Sequence, residues 1–182
     1  VLQCSNRALP SYDNPVFDLS VGGIGNMLSW TYYFFKDSFD KIDPEISRRL
    51  RHELQVRILD TYLNDDSFWW MARGSHYKRG RLLNNWNPWC NSNALIAFML
   101  LENNRDTLAK AVYMTMESVD EFLNYIKADG ACEEGPSYWG HAPGKTLDYL
   151  EMLSVITGGK VNIFAEPMIK SMGEYISRSY VG

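Results

Sequence analysis

The chain has 182 residues, 46% of them hydrophobic and 22% charged, with a formal net charge of -4. That length and balance suit one globular domain with a buried core and exclude a disordered or fibrous chain. With 18 Lys and Arg against 22 Asp and Glu, and no basic stripe, nucleic acid is not an expected partner. No apolar run is long enough for a membrane span, and no signal-peptide pattern opens the sequence. Three cysteines (Cys4, Cys90, Cys132) and three histidines (His52, His76, His141) lie scattered, which disfavours a disulfide framework or a multi-histidine metal centre. Aromatic residues reach 14%, including six Trp and eleven Tyr.

In chain order the sequence predicts helices throughout. Ile24, Met27, Leu28 and Tyr32 recur at helical spacing over Leu19–Asp37, with a turn at Ser38–Ile42. Asp43-Pro44 supplies an N-cap and a proline at the first helical position. Ile46, Leu50, Leu54, Ile58, Leu59 and Tyr62 carry the next stripe to about Leu63, and an irregular aromatic stretch, Asn64 to Trp86, follows. Asn87-Pro88 repeats the cap-and-proline pattern ahead of Leu95, Phe98, Met99 and Leu101. Asn104 or Asp106 starts a helix with Leu108, Val112, Met116, Val119, Phe122, Leu123 and Ile126 on one side. A second irregular stretch, Ala128 to Ala142, ends where Pro143 opens a helix that passes Ile156 and stops at Gly158-Gly159. The last helix starts near Glu166-Pro167 and runs through Ile169, Met172 and Ile176.

The expected fold is therefore all-α: six helices in three antiparallel hairpins, with short connections inside each hairpin and long aromatic ones between them. In an antiparallel array alternate connections fall at the same end. The long stretches should then share one face with the N-termini of the first, third and fifth helices, where positive helix ends suit an anionic ligand. Repeated hairpins point to a partial α/α toroid or a solenoid.

Two clusters could carry chemistry. Asn84, Asn85, Asn87, Asn91 and Asn93 fall within ten residues, more than one helix cap uses. Neutral amides donate to a carboxylate without neutralising a nearby base. Trp86 and Trp89 either stack on sugar rings or fill the core. In the second cluster, Gly135, Pro136 and Gly140 surround Tyr138 close to a helix start. A phenol held there can fall below its usual value of about 10 and act as a Brønsted base, or it can be a structural aromatic. Glu133 and Glu134 are acid/base candidates or helix-end decoration; His141 is a site residue or a cap; His76 lies in the other long stretch, and His52 on a solvated helix face. There is no GxSxG, HExxH or Walker loop, and Gly22-Gly23-Ile24-Gly25 lacks the preceding strand of a dinucleotide fingerprint.

Asn84-Asn85-Trp86-Asn87, followed by Asp129-Gly130-Ala131-Cys132-Glu133-Glu134-Gly135-Pro136-Ser137-Tyr138-Trp139-Gly140, resembles the heparinase II/III family of polysaccharide lyases and the related alginate lyases. The resemblance implies an α/α toroid followed by β-sandwich domains, with the active site between them. It implies β-elimination at a uronic acid, with no metal or organic cofactor, in the periplasm or outside a bacterial cell. By position it makes Tyr138 the catalytic tyrosine and Asn85 the group that neutralises the C5 carboxylate, with Asn84 and Asn87 adjacent and Glu134 orienting the loop. Trp86, Trp139, His141, His76 and Arg81 are the further substrate contacts expected. The family's additional histidine belongs to the β-sandwich side, which has no counterpart in this sequence. The 182 residues are thus expected to be a single helical domain, a fragment of a larger lyase whose β-sandwich is the missing partner. Two other functions compete. One is a non-catalytic carbohydrate-binding module using the Trp and Asn side chains. The other is a glycoside hydrolase, which would need Glu133 or Glu134 together with Asp129 to flank a glycosidic bond.

Overall fold

The computed structural model describes residues 11–74, 77–78 and 80–180. It is all-helical, with no strand among those residues. Asp18, extended and 2% exposed, caps α1 (Leu19–Ile42) by accepting the Val21 N–H. The turn expected at Ser38–Ile42 is not there, and α1 continues to Ile42. Those residues contain neither Gly nor Pro, and Asp40 is held by Lys36 one turn back. The break falls at Asp43 alone. Pro44 forces its predecessor into extended backbone, and Asp43 then caps α2 (Pro44–Leu54) through the Glu45 N–H. A π turn over Gln55–Asp60, with no sequence signal, joins α2 to α3 (Thr61–Asn64) and keeps one continuous rod.

The stretch after α3 contains a short 3-10 turn at Trp69–Met71, ended by Ala72 in the left-handed region. Helix α4 spans Trp86–Leu101 with Asn85 as its N-cap. The cap expected at Asn87 is therefore two residues early in the chain: Asn87-Pro88 sits inside the first turn. Proline is tolerated there because its missing N–H would have had no helical acceptor. Asn104, of the two candidates, caps α5 (Arg105–Tyr125) by accepting from Asp106 and Thr107. A 3-10 turn at Pro136–His141 leads into α6 (Pro143–Ile156), and α7 spans Pro167–Arg178, both at the predicted prolines.

Helices α1, α4 and α6 lie in a row with α4 in the middle, and α2, α5 and α7 each pack against the row helix that precedes them. Helix α4 is enclosed on nearly all sides: its second half is apolar around its circumference, and its first half buries Asn87, Asn91, Ser92 and Asn93 as well. One core joins α1 to α4 through Phe17, Tyr62, Trp70 and Phe98; the other joins α4 to α7 through Phe122, Tyr149, Leu153 and Met172. The apolar stripe expected on α1 is only partly buried: Leu28 and Tyr32 pack inward, but Ile24 and Met27 are exposed. Its buried residues are Gly22, Gly25 and Ser29 instead. A Cβ on Gly25 would lie 2.5 Å from Ile58 Cδ1, so the glycine run serves close helix packing.

Candidate functional site

The first two turns of α1, the N-terminal end of α4 and the entry to α6 meet around a cleft of about 390 Å³. Leu19, Ser20, Gly23 and Ile24 form one wall; Asn85, Trp89 and His141 form the rest. The three row helices thus point the same end at one place.

Two of the three helix ends meet a carboxylate from within the protein. Glu134 Oε2 accepts the Asn85 N–H at 3.0 Å, and Asp18 Oδ1 accepts the Val21 N–H at 2.7 Å. Each carboxylate answers the dipole of the helix it caps. The α1 and α4 ends thus already face carboxylates of this chain, whereas the α6 end, with Ala142 at its cap position, has no side-chain cap.

Asn85 is 5% exposed and contributes to the lining, and its carboxamide has no hydrogen-bond partner among the described residues. Its backbone is fixed at both ends, since its carbonyl accepts the Trp89 N–H at 3.0 Å. Asn84 turns its side chain onto the Trp86 N–H at 3.2 Å and acts as a local cap. Asn87 is fully buried and away from the cleft. Its Nδ2 donates to Trp70 O, Ser118 O and Ser118 Oγ, so it ties the core between α4 and α5. Asn91 does the same one turn on, donating to Ser118 Oγ and accepting from the Tyr62 hydroxyl.

Trp89 is clamped. Its Nε1 donates to Leu19 O at 3.0 Å, the His141 ring stacks on it at 5.3 Å and 14°, and Lys145 Nζ stands 5.5 Å from its centroid. Tyr138, 48% exposed, meets His141 at 5.5 Å between ring centroids. Tyr138 therefore stands at the rim, linked to the cleft wall through His141. Glu134 links the loop bearing Tyr138 to the α4 cap bearing Asn85, across 49 residues of sequence.

Other expected contacts lie elsewhere. Trp139 donates through Nε1 to Met172 O and holds α7, with its ring against Gly144. Trp86 is half-buried and tilts against the exposed Trp69 at 5.4 Å, forming an aromatic pair apart from the cleft lining. Arg81 is exposed and is not among the cleft residues. His76 lies outside the described residues. Burial raises the Glu133 carboxyl, with the neighbouring Glu134 charge adding to the effect, whereas Glu134 is committed to Asn85. The α1 wall was not foreseen as a site. The signal for it was the small residues at the start of an otherwise apolar helix.

Among the described residues no helix is long and apolar enough to cross a membrane, and no group of three or more His, Cys, Asp or Glu side chains could hold a metal ion. No protein-family model matches the chain, and no curated protein is significantly similar to it.

Proposed function

We propose that this chain is the helical part of a polysaccharide lyase that cleaves a uronate-containing glycan by β-elimination. The observation that carries the reading is the meeting of Asn85 and His141 in one cleft, with Tyr138 in ring contact with His141. A proton next to a carboxylate is weakly acidic. Asn85, with its amide uncommitted, donates to the C5 carboxylate and stabilises the enediolate-like charge that grows as the proton leaves. Tyr138, reacting through its deprotonated oxygen, takes the C5 proton; the bond from C4 to the bridging oxygen breaks as the C4–C5 double bond forms, and the Tyr138 hydroxyl so formed returns that proton to the departing oxygen. The pairing of α1, α4 and α6 in a row, each backed by its hairpin partner, is the arrangement an arc of an α/α toroid would have. A periplasmic or extracellular site of action belongs to the same proposal, through the family resemblance alone.

The test is ultraviolet absorbance of unsaturated uronate when the protein is incubated with heparan sulfate, chondroitin or alginate. Asn85→Ala should lower the rate by about 10²–10³, and Tyr138→Phe by about 10²–10⁴ with binding retained. The pair of exposed Trp69 and half-buried Trp86 favours a second reading, a carbohydrate-binding module. Measurable glycan binding with no absorbance change on any of the three polymers would select it.

A further inference from the structure

None of the cleft-lining residues carries a permanent charge, yet the wall residue Trp89 carries an ammonium against its ring. Lys145 Nζ is 5.5 Å from the indole centroid, and the indole is locked by Leu19 O and His141. The Lys145 side chain is only 18% exposed, and its ion-pair partner, Asp148 at 3.3 Å, is 61% exposed. A pair with so exposed a partner contributes little stability. Partial burial of the ammonium costs free energy. Lys145 also occupies the first turn of α6, where the helix dipole disfavours a cation. The ion pair, the burial and the helix position thus give this lysine little stabilising role, and its contact with the Trp89 ring is what remains.

We propose that Lys145, which stands against the wall residue Trp89 and outside the cleft lining itself, is the specificity-determining cation that reads the carboxylate or sulfate of a sugar bound beside Trp89. The inference rests on the glycan reading above and adds to it a residue outside the family's matched motifs. The arriving anion replaces Asp148 as the partner of the ammonium. A lysine, being a compact point charge with rotatable donors, accepts either anion geometry. The Trp89 face fixes where the charge stands, so neutral sugars lose the contact and charged ones gain it.

The experiment compares Lys145→Met, which keeps the aliphatic stem on Trp89, with Lys145→Arg and Asp148→Asn. Calorimetry measures binding of a uronate oligosaccharide and of its carboxyl-reduced neutral counterpart, at low and high salt. The unaltered protein should prefer the charged ligand by about tenfold. Lys145→Met should bind both alike with a flatter salt dependence, Lys145→Arg should keep the preference, and Asp148→Asn should strengthen it. In turnover, Lys145→Met should raise KM about tenfold with kcat unchanged. An unchanged charge preference and salt dependence in Lys145→Met overturns the inference, as does an equal loss for both ligands. Product formation with a KM indifferent to Lys145 removes this inference and leaves the lyase reading standing. A Lys145-dependent preference without unsaturated product does the reverse. Binding of neither oligosaccharide by the unaltered protein overturns both.

Discussion

Glu134 illustrates how one side chain joins two parts of the site. Its carboxylate is the acceptor for the Asn85 N–H, so it caps α4 from a loop far along the chain and sets the loop of Tyr138 against the cap residue Asn85. A charged acceptor at a helix N-terminus contributes about 1–2 kcal/mol, from the hydrogen bond and the dipole together. Glu134→Ala should therefore lower Tm by about 2–8 °C in a thermal melt, given a shift of about 2–4 °C per kcal/mol for a chain of this size. Glu134→Gln keeps the acceptor and loses only the charge, so it should fall between the two. If Glu134 served substrate alone, neither variant would move Tm. The asparagines divide in the same residue-by-residue way. Asn87 and Asn91 spend their amides on Ser118 and belong to the core, whereas the Asn85 amide is uncommitted. Asn91 follows Asn87 by four residues and shares its helix face, whereas Asn85 precedes Asn87 by two and falls on the opposite side, so helix rotation separates their roles.

Among elements, the loop after α5 depends on one glycine. Gly130 adopts φ +79, and a Cβ there would stand 2.4 Å from the Ser171 carbonyl carbon and the Met172 nitrogen. Both obstacles are α7 backbone, which cannot turn aside as a side chain would. Arg178 reinforces the seam by donating to Asp129 O and Ser171 O. Gly130→Ala should cost about 3 kcal/mol, from the left-handed backbone and the overlap together. Chemical denaturation reads the loss directly, and hydrogen exchange should show α7 released before α4. The neighbouring Gly135 also has positive φ but no atom within 4 Å of a built Cβ, so Gly135→Ala should be the milder change.

Over the whole molecule, buried acids of neutral form set the alkaline limit. Burial pushes the Cys90 thiol and the Tyr62 phenol well up, and raises Tyr149 as well despite its hydrogen bond with Thr115. An unfolded chain releases these protons first, so it binds fewer protons than the native state and stability falls as pH rises. The contribution is complete below the ordinary thiol value and is lost above it, from about pH 8.5 for Cys90 and about pH 10 for the two tyrosines. Urea midpoints should be level at neutral pH and drop in those two windows; Cys90→Ala should shrink the first of them, and Cys132, whose thiol burial also raises, accounts for what remains. On the acid side, Tyr12 and Arg57 hold Glu53 below its usual range, so their help is lost as pH falls through that group's titration. Both cores share α4, so a change at either end reaches the helix that carries the cleft.

Periodicity and punctuation by themselves determined the all-α class, most helix positions and the starts at Pro44, Pro143 and Pro167, because these depend on local backbone preference. The same local logic misplaced the α4 cap at Asn87 and inserted a turn after Asp37. A proline is compatible with several first-turn positions, and nothing local distinguishes a polar helix end from a turn. The π turn in the second rod and the glycine face of α1 were invisible, since the first depends on how the rod packs and the second on Ile58 arriving from another helix. Of the candidate site, the sequence supplied Asn85, Glu134, Tyr138 and His141 as names on separate stretches. Tertiary structure alone decided that Asn85 and His141 share a cleft with α1, that Glu134 bridges the two loops, and that Trp139 serves α7. Local propensity records where a chain bends. Which side chains meet depends on burial shared between elements far apart along it, and no single stretch of sequence contains that information.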